Sequence, residues 1–307
     1  KWTDFMSLFE GCSSLKTLPM LHTENGTMFR KMCTDCSSLS YIPHWDLGKG
    51  KDLAGMFKGC VSLPTVPPFD TSSCTVTGGP PKGMFEGCTA LQSVPMMDMS
   101  KVTYASGMFA YCHSLAAFPP FNWAKLQDGL QMFKECKSVT RLPTWDFPEL
   151  TNGMWMFGGM DSLVEFPPCK MPKVTDLSYA WYKNTAMSMF PALQLPECTT
   201  VKQAWHTCTS LEVMPVLTFG KLENMYGALM QCKNLRVIPR WPTTRTVKEW
   251  TSAFDAAMST TTGTVSFGLL DFGAAETMKN TFANNAKLTV CPIRSALPAS
   301  NLDCSFM

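Results

Sequence analysis

Charge is what this sequence has least of. Charged side chains make up 16% of its 307 residues, and 26 Lys and Arg against 24 Asp and Glu leave a formal net charge of +2. With no long run of either sign, the chain carries no electrostatic footprint for nucleic acid or an anionic membrane. Hydrophobic residues reach 45%, too many for a disordered chain. No apolar run approaches the roughly eighteen residues of a membrane span, because proline, glycine or a charge interrupts each one, so a soluble chain is expected. Histidine is scarce: His22, His44, His113 and His206 are too scattered to build an active site. Phosphate-cradling glycine loops and closely spaced calcium-type acidic ligands are also missing. The chain opens at Lys1-Trp2-Thr3 without an initiator methionine or a basic-then-apolar leader, and is read as a processed product or part of something longer.

Repetition is what the sequence has in abundance. The stretch Gly83-Met84-Phe85-Glu86-Gly87-Cys88-Thr89-Ala90-Leu91-Gln92-Ser93-Val94-Pro95 recurs throughout as Met-Phe-x-x-Cys-x-x-Leu-x-x-apolar-Pro. Its cysteine position falls at Cys12, Cys36, Cys60, Cys88, Cys112, Cys136, Met160, Asn184, Cys208, Cys232, Ala257 and Asn285, mostly 24 residues apart. Such a period predicts a solenoid, each unit burying its apolar face by stacking on its neighbours. About twelve coils form a single body over 1–307. The repeats run from about 5 to 292, and a C-terminal cap covers 293–307. Insertions fall at about 71–83 and 258–263, where the step lengthens.

Within a coil, Leu-x-x-apolar-Pro, as in Leu39, Ile42 and Pro43, predicts a short strand in a parallel sheet, ended by the proline. Asp46, Asp70, Asp98, Asn122 and Asp146 follow three residues later and are placed to bond nearby amides. The next stretch, such as Val174–Trp181, spaces apolar residues three and four apart and predicts one or two turns of helix. The expected fold class is therefore an α/β repeat solenoid, with parallel sheet on one face and helical turns on the other.

Eight of the 14 cysteines share one repeat position. Stacked coils hold equivalent Cβ atoms parallel at about 4.8 Å, beyond the ~3.5–4.5 Å of a disulfide, so a ladder of buried reduced thiols is expected. This reading absorbs the Cys112-His113 and His206/Cys208 pairs, which otherwise resemble a nucleophile and base. It also absorbs Cys33-x-x-Cys36, half of a zinc spacing, because Cys33 stands where other coils have Phe9, Phe57 and Phe85. No catalytic residue, metal or cofactor is expected.

The motif resembles the BspA-type, or treponemal-type, leucine-rich repeats and the related repeats of mycoplasma surface lipoproteins. Met56-Phe57-Lys58-Gly59-Cys60-Val61-Ser62-Leu63-Pro64-Thr65-Val66-Pro67 followed by Phe69-Asp70 carries the likeness, which extends from about Phe5 to Pro292. The resemblance implies a leucine-rich-repeat solenoid and a noncatalytic adhesion or ligand-binding role at a cell surface or outside the cell, with relatives in phage proteins.

The outward positions of the strand carry the expected ligand contacts: Tyr41, His44, Met96, Arg141, Glu165 and Arg240. Their mixture of aromatic, Met and Arg side chains suits a protein or glycan ligand. Trp45, Trp145 and Trp241 are expected in the core rather than as sugar platforms, because Leu, Phe or Met replaces them in most coils. The alternative function is a structural or receptor-binding component of a phage tail fibre or extracellular filament, with another chain stacked on the N-terminal edge; a cysteine-dependent or metal-binding enzyme is the distant alternative.

Overall fold

The protein is described from a computed structural model, which covers residues 2–79, 83–262, 264–290 and 292–293. It divides into two compact units, Lys1–Leu150 and Thr151–Met307. Both are built by parallel pairing of one coil with the next. In the first unit Asp4, Met28, Asp52, Val76, Tyr104 and Asp128 form consecutive parallel bridges; in the second, Asn152, Asp176, Thr200, Asn224, Glu249 and Thr277 do the same.

The stretch expected to be helical contains no helix among the described residues. It is a run of overlapping β-turns, with its amides divided between two jobs. Phe5, Ser7, Phe9 and Gly11 donate to the carbonyls of Met28, Arg30, Met32 and Thr34 one coil on, at 2.8–3.0 Å. The intervening Leu8, Glu10 and Cys12 donate three residues back, to Phe5, Ser7 and Phe9. An α-helix would return every amide to the carbonyl four residues back, leaving none to join the coils. The alternation also needs left-handed residues at the third position of every second turn. These recur in pairs four apart: Ser7 and Gly11, Lys31 and Asp35, Gly55 and Gly59, and so through to Asn280 and Asn284, except in the coil after the first insertion, where Gly87 alone is left-handed.

The strand edge behaves as expected where it is paired. Thr17 bridges Tyr41, Glu165 bridges Met189, and Val213 bridges Val237. In the second unit β1 (Gln194–Leu195) pairs in parallel with β2 (Thr218–Phe219), and β3 (Val237–Ile238) with β4 (Ser266–Phe267). Pro239 follows β3, as the repeat pattern expects, whereas β1 and β2 lie three residues past the repeat prolines Pro191 and Pro215, so pairing there resumes after the proline instead of ending at it.

Inward side chains stack in columns. Phe57, Phe85, Phe109 and Phe133 lie ring on ring at 5.6–5.9 Å in the first unit, and Phe157, Trp181 and Trp205 at 5.3–6.3 Å in the second. Trp45, Trp145 and Trp241 are buried, as expected of core residues. The indole N–H groups of Trp45 and Trp241 are satisfied by the carbonyls of Pro19 and Pro215.

The cysteine column is a thiol-to-carbonyl ladder. Cys36 Sγ donates to Phe9 O at 3.1 Å, Cys60 to Cys33 O, Cys88 to Phe57 O and Cys112 to Phe85 O, and Cys208 and Cys232 repeat the contact in the second unit. Asn285, at the same repeat position, makes the equivalent bond through Nδ2 to Phe254 O. The ladder cysteines are free thiols, buried except Cys12.

The turn-forming acids divide into two sets. Asp46, Asp70, Asp98 and Asn122 each accept from the amide two residues on, as expected, although a turn rather than a helix follows. A second set, Asp4, Asp52, Asp128, Asn152, Asp176 and Asn224, does the same at the start of the turn run.

The insertions are narrower than the sequence indicates. Val76 is already paired on both sides, and Met84 N donates to Thr77 O, so the extra residues lie between Thr77 and Met84. In the second insertion Met258 and Thr261 are buried, and Thr260 bonds back to Lys233 O and Asn234 Oδ1. That loop folds over the preceding coil instead of projecting. Of the expected cap, only Ile293 is described, bridged to Leu270; residues 294–307 lie outside the described residues.

Candidate functional site

An outward position on a strand edge is set by alternation: the neighbours that point inward fill the core, leaving the others to solvent. Tyr41, His44, Met96 and Arg141 are exposed on the first unit, and Glu165 and Arg240 on the second. Tyr41 and Met96 are 59% and 56% exposed, and Met20, Met189, Val213 and Val216 are also open along the same two positions of the repeat. Tyr41 and His44 share a coil, whereas Met96 and Arg141 sit on later coils of that unit. Glu165 and Arg240 are three coils apart. These residues form contact surfaces rather than a convergent pocket.

Two concavities complement these surfaces. In the first unit a cavity of about 460 Å³ is lined by Trp2, Met20, Leu21, His22, Glu24 and Asn25. In the second, a cavity of about 310 Å³ is lined by Glu212, Asn234, Arg236, Thr261, Thr262 and Thr264. The latter is polar, and its geometry is braced. Arg236 Nε contacts Glu212 Oε2 at 3.0 Å, and Asn234 Nδ2 donates to Thr209 O. None of its lining residues was expected from the sequence. The available signal was the 24-residue register of Glu212 and Arg236 beside a threonine-rich insertion.

The thiols beside the two histidine positions, Cys112 and Cys208, are held protonated. Burial, with a neighbouring thiol adding to it, pushes the Cys112 and Cys208 pKa values far above the ordinary thiol value, and burial pushes Cys232 up to about 12. Only a thiolate attacks or binds a metal. Cys33 is fully buried in the core column, and its pKa is raised by its hydrogen bond with Cys36 and by burial.

Surface ion pairs follow the coil register. Lys31–Glu10, Lys58–Glu86, Lys221–Glu197, Arg236–Glu212 and Lys248–Glu223 each join adjacent coils. Each contributes only about 0–1 kcal/mol.

The family model described as "Mycoplasma protein of unknown function, DUF285" matches residues 1–79 and 65–167, together more than half of the chain. The chain belongs to this family. The DUF285 match lies on the stretch that includes Met56–Pro67, the motif of the mycoplasma-type likeness. Among solved structures, a leucine-rich repeat protein from Bacteroides ovatus is similar at 13% identity and a TM-score of 0.32, over 85% of this chain and 86% of that one. An internalin from Listeria monocytogenes is similar at 12% identity and a TM-score of 0.31, over 84% of this chain and 70% of that one. No curated protein sequence matches the chain.

Proposed function

We propose that this DUF285 protein is a noncatalytic recognition module, displayed at a cell surface or outside the cell, that binds a protein or glycan ligand through its strand edge and inserted loops. The observation that supports this reading is the exposure of Tyr41, Met96, Met189 and Val213 on coils locked by inter-coil hydrogen bonds. Apolar and aromatic groups held on a fixed backbone lose little conformational entropy on binding. Burial holds Cys112 and Cys208, the thiols nearest His113 and His206 in sequence, in the protonated form, which argues against their serving as nucleophiles.

The test is capture of a ligand by the full chain from a host-cell surface fraction, followed by affinity measurement on variants. Tyr41→Ala and Arg141→Ala are each expected to weaken binding at least ~10-fold, the effect of losing an interface anchor worth about 1.4 kcal/mol or more. Their thermal midpoints should stay at the parent value. Unchanged affinity after substitution of all six expected contact residues would remove the strand edge as the site.

A further inference from the structure

The turn run of the second unit carries a cluster that the strand-edge reading does not use. Trp155 and Tyr179 are one coil apart, and their rings stack at 4.6 Å with an interplanar angle of 4°. Tyr182 lies 4.8 Å from Trp155 and 5.8 Å from Tyr179, and His206 meets Tyr182 edge-on at 5.1 Å. All four side chains are only half-buried. Lys183 Nζ sits 5.4 Å from the Tyr182 ring centre, and Lys202 Nζ lies 6.0 Å from that of Tyr179 and 5.5 Å from that of Tyr226.

Backbone conformation makes this placement unusual. Trp155 and Tyr179 have φ of 59° and 60°, at the repeat position where Gly55, Gly107 and Gly227 occur. The left-handed region is costly for bulky L residues and free for glycine. The core does not call for aromatics here, since Lys31, Gln131, Gln203 and Asn280 hold the same position in other coils. The turn alternation imposes the left-handed conformation on whichever residue stands here, so what sets Trp155 and Tyr179 apart is bulky, half-exposed rings at a position where the fold favours glycine and the core needs no aromatic.

Charge indicates the partner. Lys31, Lys58, Lys221 and Lys248 each face a glutamate on a neighbouring coil. Lys183 and Lys202 have no ion pair among the described residues, leaving two ammonium groups beside the rings. Protein interfaces are depleted of lysine, and two lysines on a nearly neutral chain supply little of the counterion release that drives nucleic-acid binding. With Trp155 and Tyr179 stacked on each other, a sugar can use only ring faces turned away from that stack; its C–H groups carry partial positive charge and suit the negative face of an aromatic ring, while a sugar acid suits the ammonium groups.

We propose that Trp155, Tyr179 and Tyr182, flanked by Lys183 and Lys202, bind an acidic saccharide on the turn face of the second unit. This site is separate from the strand edge. The test is calorimetric titration of the full chain with 3′-sialyllactose and a heparin hexasaccharide, with lactose and maltotriose as neutral probes. At least one acidic probe should bind saturably and at least ~10-fold more tightly than both neutral ones; sialyllactose would identify a carboxylate ligand and the heparin fragment a sulfate ligand.

Trp155→Gly and Tyr179→Gly should each weaken that binding ~10-fold or more without lowering the thermal midpoint. The double change Lys183→Gln/Lys202→Gln should remove the preference for acid, and decides the matter if either glycine variant fails to fold. Tyr41→Ala should leave saccharide binding intact, which separates this site from the strand edge. Failure of both acidic probes to bind, equal binding of neutral sugars, or binding indifferent to the lysine pair would overturn the proposal.

Discussion

Individual residues in this protein are governed by the left-handed positions, two in most coils. At Gly59, φ is 71° and an added Cβ would lie 2.3 Å from Asp35 Oδ1; at Gly11, φ is 77° and no atom lies within 4 Å of that point. Gly11→Ala should therefore cost only the backbone term, about 1–2 kcal/mol. Gly59→Ala carries the same term plus the displacement of Asp35, and should destabilise by a further ~1 kcal/mol or so. Denaturant unfolding of the two variants checks the difference; equal losses would show that Asp35 yields freely. The cysteine column obeys the same logic of position: a side-chain donor there lies beneath a carbonyl of the preceding coil, and Asn285 uses it as Cys112 does, while Met160 and Ala257 fill the same place without a donor.

At the scale of the element, the coil is held by turns whose acids accept backbone amides. The Asp70 carboxyl is held below the usual carboxylate range by its hydrogen bonds from Ser72, and the Asp98 carboxyl by those from Ser100. A carboxyl whose folded pKa is depressed stabilises the fold above its unfolded pKa of about 3.9, and that stability is lost as pH falls through the folded value. Stability should accordingly decline below about pH 4, and Asp70→Asn with Asp98→Asn should flatten part of that decline. Chemical unfolding at a series of acidic pH values checks this; an identical slope in parent and double variant would show that other groups carry the acid response. The Asx turns were legible, since Asp46, Asp70, Asp98 and Asn122 recur at one register. The helical reading of Val174–Trp181 failed because apolar spacing of three and four is also produced by a turn run that buries Val174, Leu177, Ala180 and Trp181. Glycine pairs four apart, as in Gly55 and Gly59, were the contrary signal, since glycine inside a helix is disfavoured.

At the scale of the whole molecule, stability is summed from coil to coil. In a solenoid each repeat contacts its neighbours, so removing one complete period preserves every type of interface. Deletion of residues 102–125 joins Lys101 to Leu126 in register and should leave a folded protein with a cooperative thermal transition. Deletion of residues 102–113 puts turn residues against strand-edge residues and should not. Near-ultraviolet circular dichroism of the tryptophans and phenylalanines distinguishes the outcomes; loss of structure in both would mean that the coils are not interchangeable.

The sequence by itself determined the period, the inward columns of Phe, Leu and Cys, the reduced state of the stacked thiols and the burial of Trp45, Trp145 and Trp241. These follow from spacing, because equivalent positions must stack once neighbouring coils pair. Only the tertiary structure decided that the turn run replaces a helix, that the first insertion begins after Thr77, and that Trp155, Tyr179 and Tyr182 meet on an outward face. Each of those outcomes depends on carbonyls and rings supplied by an adjacent coil, about 24 residues away, and no local stretch of sequence contains its own partner.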